Sequence, residues 1–251
     1  MKVPVFDKSG KESGQVDLPG VFATPFRPDL IRKAVKVSRA NRRQRYGSSP
    51  VAGERHSTQS VGKGRGMSRV PRLTQGRDAA LAPNVVGGRR AHPPEARHSF
   101  KLKMNTKERR LAIASAIAAT ADKDTVLGRG HQGELKAFPV VVKDDLLGAR
   151  RTQDALLALE AIGVGPDLVR AREGVHVRAG MGKLRGRRYR TPRSLLVVTV
   201  DGRAPALRNL AGVDVVAASN LGAEHLAPGG DAGRLTVFTE GALARIKEAY
   251  A

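Results

Sequence analysis

Residues 42–103 read RRQRYGSSPVAGERHSTQSVGKGRGMSRVPRLTQGRDAALAPNVVGGRRAHPPEARHSFKLK, and everything else in the chain is arranged around this run. It holds 14 basic residues against three acidic ones (Glu54, Asp78, Glu95), a net charge of +11. Its apolar residues, Val51, Val61, Met67, Val70, Leu73, Leu81, Val85, Val86 and Phe100 among them, repeat at neither a helical nor a strand period. Gly and Pro recur along its whole length. Structureless loops beyond roughly 12–15 residues are uncommon inside compact domains and are usually functional or disordered. The run therefore reads as a long, extended, non-globular basic loop inserted into one globular domain made of residues 1–41 and 104–251.

Working outward, the chain has 251 residues, a formal net charge of +22, 40% hydrophobic residues, 4% aromatics, no Trp and no Cys. The apolar content suffices for a core. The charge calls for a polyanionic partner, with nucleic acid first and an anionic membrane second. Without Cys, disulfides and thiolate metal sites are excluded. No apolar run approaches the roughly 18 residues of a spanning helix, and the first residues, MKVPVFDKSG, show no apolar core of a signal peptide. A cytoplasmic location without membrane contact is the resulting expectation. A second basic block, residues 178–193, carries Arg178, Lys183, Arg185, Arg187, Arg188, Arg190 and Arg193 with no acid. Outside the two blocks the chain is close to neutral, with 24 basic and 20 acidic residues. Concentrated blocks on a neutral body read as contact surfaces.

The rest alternates strands and helices. Residues 3–6 predict a strand, 8–14 a turn and 15–18 a return strand. A helix opens at Pro28 with Asp29 on its N-terminal dipole and a stripe of Leu30, Ile31, Ala34, Val35 and Ser38. Its other face carries Arg32, Lys33, Lys36 and Arg39, which suits either a solvated surface or nucleic-acid contact. After the loop, Asn105 and Glu108 have capping-box spacing ahead of a helix to about Ala121. Residues 125–127 and 139–142 are short apolar runs and predict strands. Residues 152–162 predict a helix stopped by Gly163, and 167–170 a strand. The strongest strand signal is 195–200. A short helix over 205–210, a strand over 213–217, a short helix over 221–226 capped by Ser219, a strand over 235–238 and a helix over 241–250 follow. The class is α/β, a mostly parallel sheet flanked by helices.

Cofactor and catalytic patterns are missing. Gly62-Lys63 is followed by Gly64, and Gly182-Lys183 by Leu184, so neither completes a phosphate loop. The Gly62–Gly66 run joins no strand to a helix. The six His show no metal spacing; His56, His92 and His98 lie in the loop, where stacking or hydrogen bonding to RNA suits them, and His131, His176 and His225 read as surface or loop residues. Asp122/Asp124 and Asp144/Asp145 read as caps. No G-x-S-x-G elbow is present. No cofactor, metal or catalytic residue is expected.

On RNA, each Arg or Lys of the loop can neutralise a phosphate and release counterions, and Arg also forks onto phosphates and stacks on bases. Arg outnumbers Lys there 11 to 3, which favours folded RNA over a loose tether. The candidate RNA contacts are Arg42, Arg43, Arg45, Arg55, Lys63, Arg65, Arg69, Arg72, Arg77, Arg89, Arg90, His92, Arg97, Lys101 and Lys103, with Lys183, Arg185, Arg187, Arg188 and Arg190 in the second block.

Five separated stretches resemble the universal large-subunit ribosomal protein L-four family in its archaeal form: Gly62–Arg72 (GKGRGMSRVPR), Arg89–Pro94 (RRAHPP), Asn105–Ile113 (NTKERRLAI), Arg178–Arg187 (RAGMGKLRGR) and Leu226–Leu235 (LAPGGDAGRL). The resemblance covers essentially the whole chain. It implies an α/β domain on the solvent side of the large ribosomal subunit and a loop that penetrates the ribosomal RNA. It further implies a role in assembly and a loop tip in the nascent-polypeptide exit tunnel, beside the L-twenty-two protein. The tip would comprise Lys63, Gly64, Arg65, Gly66, Met67 and Arg69. The chain stops short of the long basic extension of eukaryotic members, which points to an archaeal source; its basic charge does not suit a halophile. An RNA-modifying enzyme that grips its substrate with the loop is the alternative from a different functional class.

Overall fold

The computed structural model describes residues 1–133 and 135–250. In chain order the elements are β1 (Lys2–Phe6), β2 (Glu12–Asp17), α1 (Pro28–Asn41), β3 (Thr58–Ser60), β4 (Pro71–Leu73), α2 (Thr106–Ala118), α3 (Lys123–Gly128), β5 (Val140–Val142), α4 (Thr152–Ile162) and α5 (Gly165–Glu173). There follow β6 (His176–Val177), β7 (Tyr189–Arg190), β8 (Leu196–Thr199), α6 (Pro205–Arg208), β9 (Asp214–Ala217), α7 (Ala223–Leu226), β10 (Thr236–Thr239) and α8 (Glu240–Ala249). The chain divides into two compact units, one of Met1–Arg39 with Lys103–Ala251 and one of Ala40–Leu102.

The first unit is built on a six-stranded sheet of order β2-β1-β5-β10-β8-β9, in which only the β1/β2 pair is antiparallel. The register explains why its strands are apolar throughout. Val5, Val141, Phe238, Val198 and Val216 align across the sheet. On that face they meet Ile31 and Val35 of α1, Ile117 of α2, Leu226 of α7 and Leu243 and Ile246 of α8. The adjacent row, Val140, Val237, Val197 and Val215, faces the other way. It packs with Val126 of α3, Leu159 and Ile162 of α4, Leu168 of α5 and Leu207 of α6. A sheet covered on both faces needs no polar side, hence VVV in β5 and LVVT in β8, both wholly buried. Phe22 sets its ring edge against Phe238 at 5.6 Å. The α/β class with a mostly parallel central sheet is therefore as expected.

Several local expectations need correction. Residues 125–127 are helical: the Asp122 side chain caps the turn by accepting from the Asp124 N–H, and of the three only Val126 is buried, while Leu127 points to the exposed side of α3. Residues 167–170 also lie in a helix. Gly163 ends α4 in the left-handed region (φ 98°), and Pro166 starts α5 at once, with Leu168 and Ala171 buried three residues apart. Asn105 precedes α2 but makes no side-chain cap, and Glu108 turns away to bind Lys33 Nζ at 3.0 Å instead of closing a capping box. Gly222, not Ser219, precedes α7, and its N–H donates to His225 Nδ1 at 3.1 Å. His131 is not a surface residue. It is 7% exposed, with Nδ1 3.1 Å from Asp167 Oδ1.

Asp167 is fully buried and also accepts from the Gln132 N–H at 3.1 Å, from Arg170 Nε at 2.9 Å and from the Ser194 hydroxyl. Burial by itself would push this carboxyl up. The hydrogen bonds from His131, Arg170 and Ser194, with the charge of His131, outweigh it and hold Asp167 well below the usual carboxylate range.

Candidate nucleic-acid interface

The unit Ala40–Leu102 holds thirteen basic residues against three acidic ones. Ala80 is its one buried apolar side chain. Its order comes instead from two limbs that pair along their length. The Leu102 N–H donates to Asn41 Oδ1 at 2.9 Å. The Ser48 N–H donates to the Pro94 carbonyl at 3.0 Å, and a Cβ on Gly47 would lie 2.4 Å from the Ala96 nitrogen. Gly53, with φ at 76°, approaches Gly88 and Arg89 so closely that a Cβ would sit 2.7 Å from the Arg89 Cα. Farther on, β3 and β4 pair antiparallel in the register Thr58↔Leu73, Gln59↔Arg72, Ser60↔Pro71. Glycine is needed at positions 47 and 53 because the facing backbones leave no room for a side chain.

Residues 61–70 connect β3 to β4. Gly62, Gly64 and Gly66 all have φ between 63° and 79°, and a Cβ on any of them would meet open space. These glycines serve backbone conformation, not packing. Between them Lys63 and Arg65 are exposed, as is Arg69 beyond, and Met67 is 41% exposed. The six residues expected at the tip thus share one ribbon turn.

The other expected contacts divide into two groups. Arg45, Arg55, Arg77, Arg90, His92 and Lys101 are exposed in this unit, as are Arg42 and Lys103 at its borders, while Arg89 is half-buried. Arg42 interacts within the protein as well, and so do Arg72, Arg97 and Arg43. Arg72 Nη1 donates to the Arg77 carbonyl at 2.5 Å, whereas its Nε is buried without a partner. Arg97 forks onto Glu95 at 2.6 and 3.2 Å and holds that carboxyl below its usual range. The Arg43 guanidinium lies 4.2 Å from the Phe100 ring centroid. Sequence reading passed over the cluster this makes: Tyr46 stacks on Phe100 at 6.4 Å, and His98 meets Phe100 edge-on at 5.1 Å. Its only sequence signal is that the segment's two aromatics stand near opposite ends of it.

In the other unit, β6 and β7 pair antiparallel, His176↔Arg190 and Val177↔Tyr189, around a 3-10 turn over Met181–Arg185 and a left-handed Gly186 at φ 72°. Lys183, Arg185, Arg187, Arg188 and Arg190 are all exposed on this hairpin. Arg193 at its foot is different: it binds Asp214 at 2.5 and 2.7 Å.

Among the described residues no group of three or more His, Asp or Glu is placed to hold a metal ion, and no helix is long and apolar enough to cross a membrane. The geometry is that of exposed cations on paired backbone limbs, suited to phosphate contact.

The model of the ribosomal protein L4/L1 family matches residues 16–249. The chain is 50% identical over 248 residues to the large ribosomal subunit protein uL4 of Haloarcula marismortui, covering 99% of this chain and all of that one. It is 47% identical over 252 residues to the protein of the same name from Methanocaldococcus jannaschii, covering the whole of both chains. These relatives carry the name of a ribosomal protein and not of an enzyme. With the family model matched over nearly its whole length and relatives about half identical from end to end, the chain belongs to the ribosomal protein L4/L1 family.

Proposed function

We propose that this protein is a structural constituent of the large ribosomal subunit in the cytoplasm, without catalytic activity. In this reading Ala40–Leu102 is an extended loop that enters the ribosomal RNA, and the 176–190 hairpin is a second RNA contact. The ribbon turn with Lys63, Gly64, Arg65, Gly66, Met67 and Arg69 lines the nascent-polypeptide exit tunnel. There its neighbours are the L-twenty-two protein and the growing chain, and its RNA contacts contribute to subunit assembly. One observation carries the reading: a segment with thirteen basic and three acidic residues has one buried apolar side chain and keeps its order by limb pairing. Such a segment presents cations without a core of its own, and RNA supplies the counter-charge and the packing. Arg forks and glycine turns let the backbone come close to sugar and phosphate.

Hydroxyl-radical footprinting of the full chain on large-subunit ribosomal RNA tests the proposal. Protection of RNA helices that converge on the tunnel is the expected result. Protection confined to the RNA surface would remove the tunnel role, and binding that ignores salt would remove the phosphate contacts.

A further inference from the structure

In the cluster of Arg43, Tyr46, His98 and Phe100 the one cation, Arg43, is turned onto an aromatic ring, so phosphate contact does not account for the cluster. It joins two stretches of chain more than fifty positions apart in a protein with only three Tyr, six Phe and no Trp. Phe100 is half-buried and held from three sides, by Arg43 at 4.2 Å, by Tyr46 at 6.4 Å with 23° between the ring planes, and by His98 edge-on at 5.1 Å. Arg43 also stands 5.7 Å from the Tyr46 centroid. Tyr46 is nevertheless 60% exposed. If the cluster served only to tie the limbs together, its outer ring would be covered, since burial is what an aromatic contributes to packing. A flat ring, fixed in orientation and largely open, in a segment with ten more cations than anions, is the arrangement that stacks nucleobases. In the same unit the limbs enclose a shallow cleft lined by Ser48, Ser49, Pro50, Pro94, Glu95 and Arg97, the Glu95 carboxylate being taken up by Arg97.

We propose that Tyr46, held by Phe100 and Arg43, is a stacking site for an unpaired nucleobase of RNA, with the cleft at Ser48–Pro50 and Pro94–Arg97 receiving the neighbouring nucleotide. This rests on the RNA-binding reading above and adds a requirement to it: the site takes single-stranded nucleotides and rejects a closed duplex, whose bases are already stacked.

The chain has no Trp, so Tyr46→Trp in the full-length protein places a single fluorescent reporter at the site. The probes are a short oligouridylate, whose bases stack weakly on one another, and an RNA duplex with the same number of phosphates. The expected result is that both bind at low salt and only the oligouridylate quenches the Trp emission. In a companion series, Tyr46→Leu weakens oligouridylate binding roughly 5- to 100-fold, leaves duplex binding unchanged and is rescued by Tyr46→Phe. Binding of both RNAs with equal quenching, or with none, overturns the stacking site and leaves the phosphate contacts standing. Equal loss of both affinities in Tyr46→Leu also overturns it, because the ring would then only hold the limbs together. Failure of either RNA to bind at low salt overturns this proposal and the RNA-binding reading together.

Discussion

Arg234, 1% exposed, reaches Asp214 at 2.8 Å from beneath the ends of β8 and β9. Its guanidinium also donates to the carbonyls of Ser194 (2.7 Å), His225 (3.0 Å), Leu195 (3.1 Å) and Gly212 (3.3 Å). Burial lowers the pKa of this guanidinium, with Asp214 opposing the shift. One side chain thus supplies the donors for four carbonyls at the edge of the sheet, a geometry no other residue type can match.

Arg234→Met keeps the bulk and removes every donor. It leaves four carbonyls and part of a carboxylate without their partner, and should cost about 3 kcal/mol of unfolding free energy, at the low end for a broken buried pair because Asp214 keeps Arg193 and some water. Urea unfolding followed by circular dichroism measures this. A midpoint within error of the parent would show that the network is energetically idle.

Asp167 gives a pH prediction. Its folded-state pKa lies below the ordinary value of 3.8. A depressed carboxylate adds stability that is complete above its unfolded pKa and is lost as pH falls through that value toward the folded one. The protein should therefore hold a level stability from pH 7 to about pH 5 on this account and lose it progressively below about pH 4. Asp167→Asn should cost about 2 kcal/mol at pH 7 and flatten the acid limb, since the amide cannot titrate. Denaturant midpoints at pH 7, 5 and 3 decide it: an acid limb equally steep in the variant would assign the effect to other carboxylates.

Much of the body could be read from the sequence because its signals are local. Pro28 and Asp29 mark the start of α1, Gly163 ends α4, and the apolar runs around Val140 and Val197 announce strands covered on both sides. The failures share one cause. Residues 125–127 and 167–170 each hold just two adjacent apolar residues, Val126-Leu127 and Leu168-Val169, too few for a period of two to be told from 3.6, and the cap at Asp122 and Pro166 decided them. Asn105 and Glu108 have the spacing of a capping box, but Lys33, on another helix, competes for the carboxylate. His131, Arg234 and the Tyr46–Phe100 pair depend on partners 36, 20 and 54 positions away, which no local pattern contains. In the basic segment the cations and the glycines of the 61–70 turn were legible, whereas the internal engagement of Arg43, Arg72 and Arg97 was not.

The approach of Gly53 to Gly88 and Arg89 defines where the segment can be shortened. Replacing residues 54–87 by a two-glycine link closes the limbs at a point where they already touch. Six basic side chains leave with it: Arg55, Lys63, Arg65, Arg69, Arg72 and Arg77. At about 0.7–0.9 per phosphate contact, and with Arg72 engaged internally, the slope of log K against log salt for ribosomal RNA should fall by about 3.5 to 4.5. The unfolding midpoint should not move. An unchanged slope would mean that these cations do not touch phosphate.

The 176–190 hairpin belongs to the other unit and should act as a separate contact. Arg185, Arg187 and Arg188 are exposed, so replacing all three by Ala should leave the unfolding midpoint unchanged and lower the salt slope by about 2 to 3, in addition to the loss from the shortened segment. Arg193→Ala is the contrasting variant. Its guanidinium is committed to Asp214 at 2.5 Å and is 60% exposed, so removing it should leave the salt slope alone and cost less than about 1 kcal/mol of stability, because Arg234 still holds the carboxylate. Both variants are measured by filter binding across a salt series and by urea unfolding. If Arg193→Ala lowers the slope as much as one of the hairpin arginines, the division of this block into five contact residues and one structural foot is wrong, and Asp214 releases Arg193 when RNA arrives.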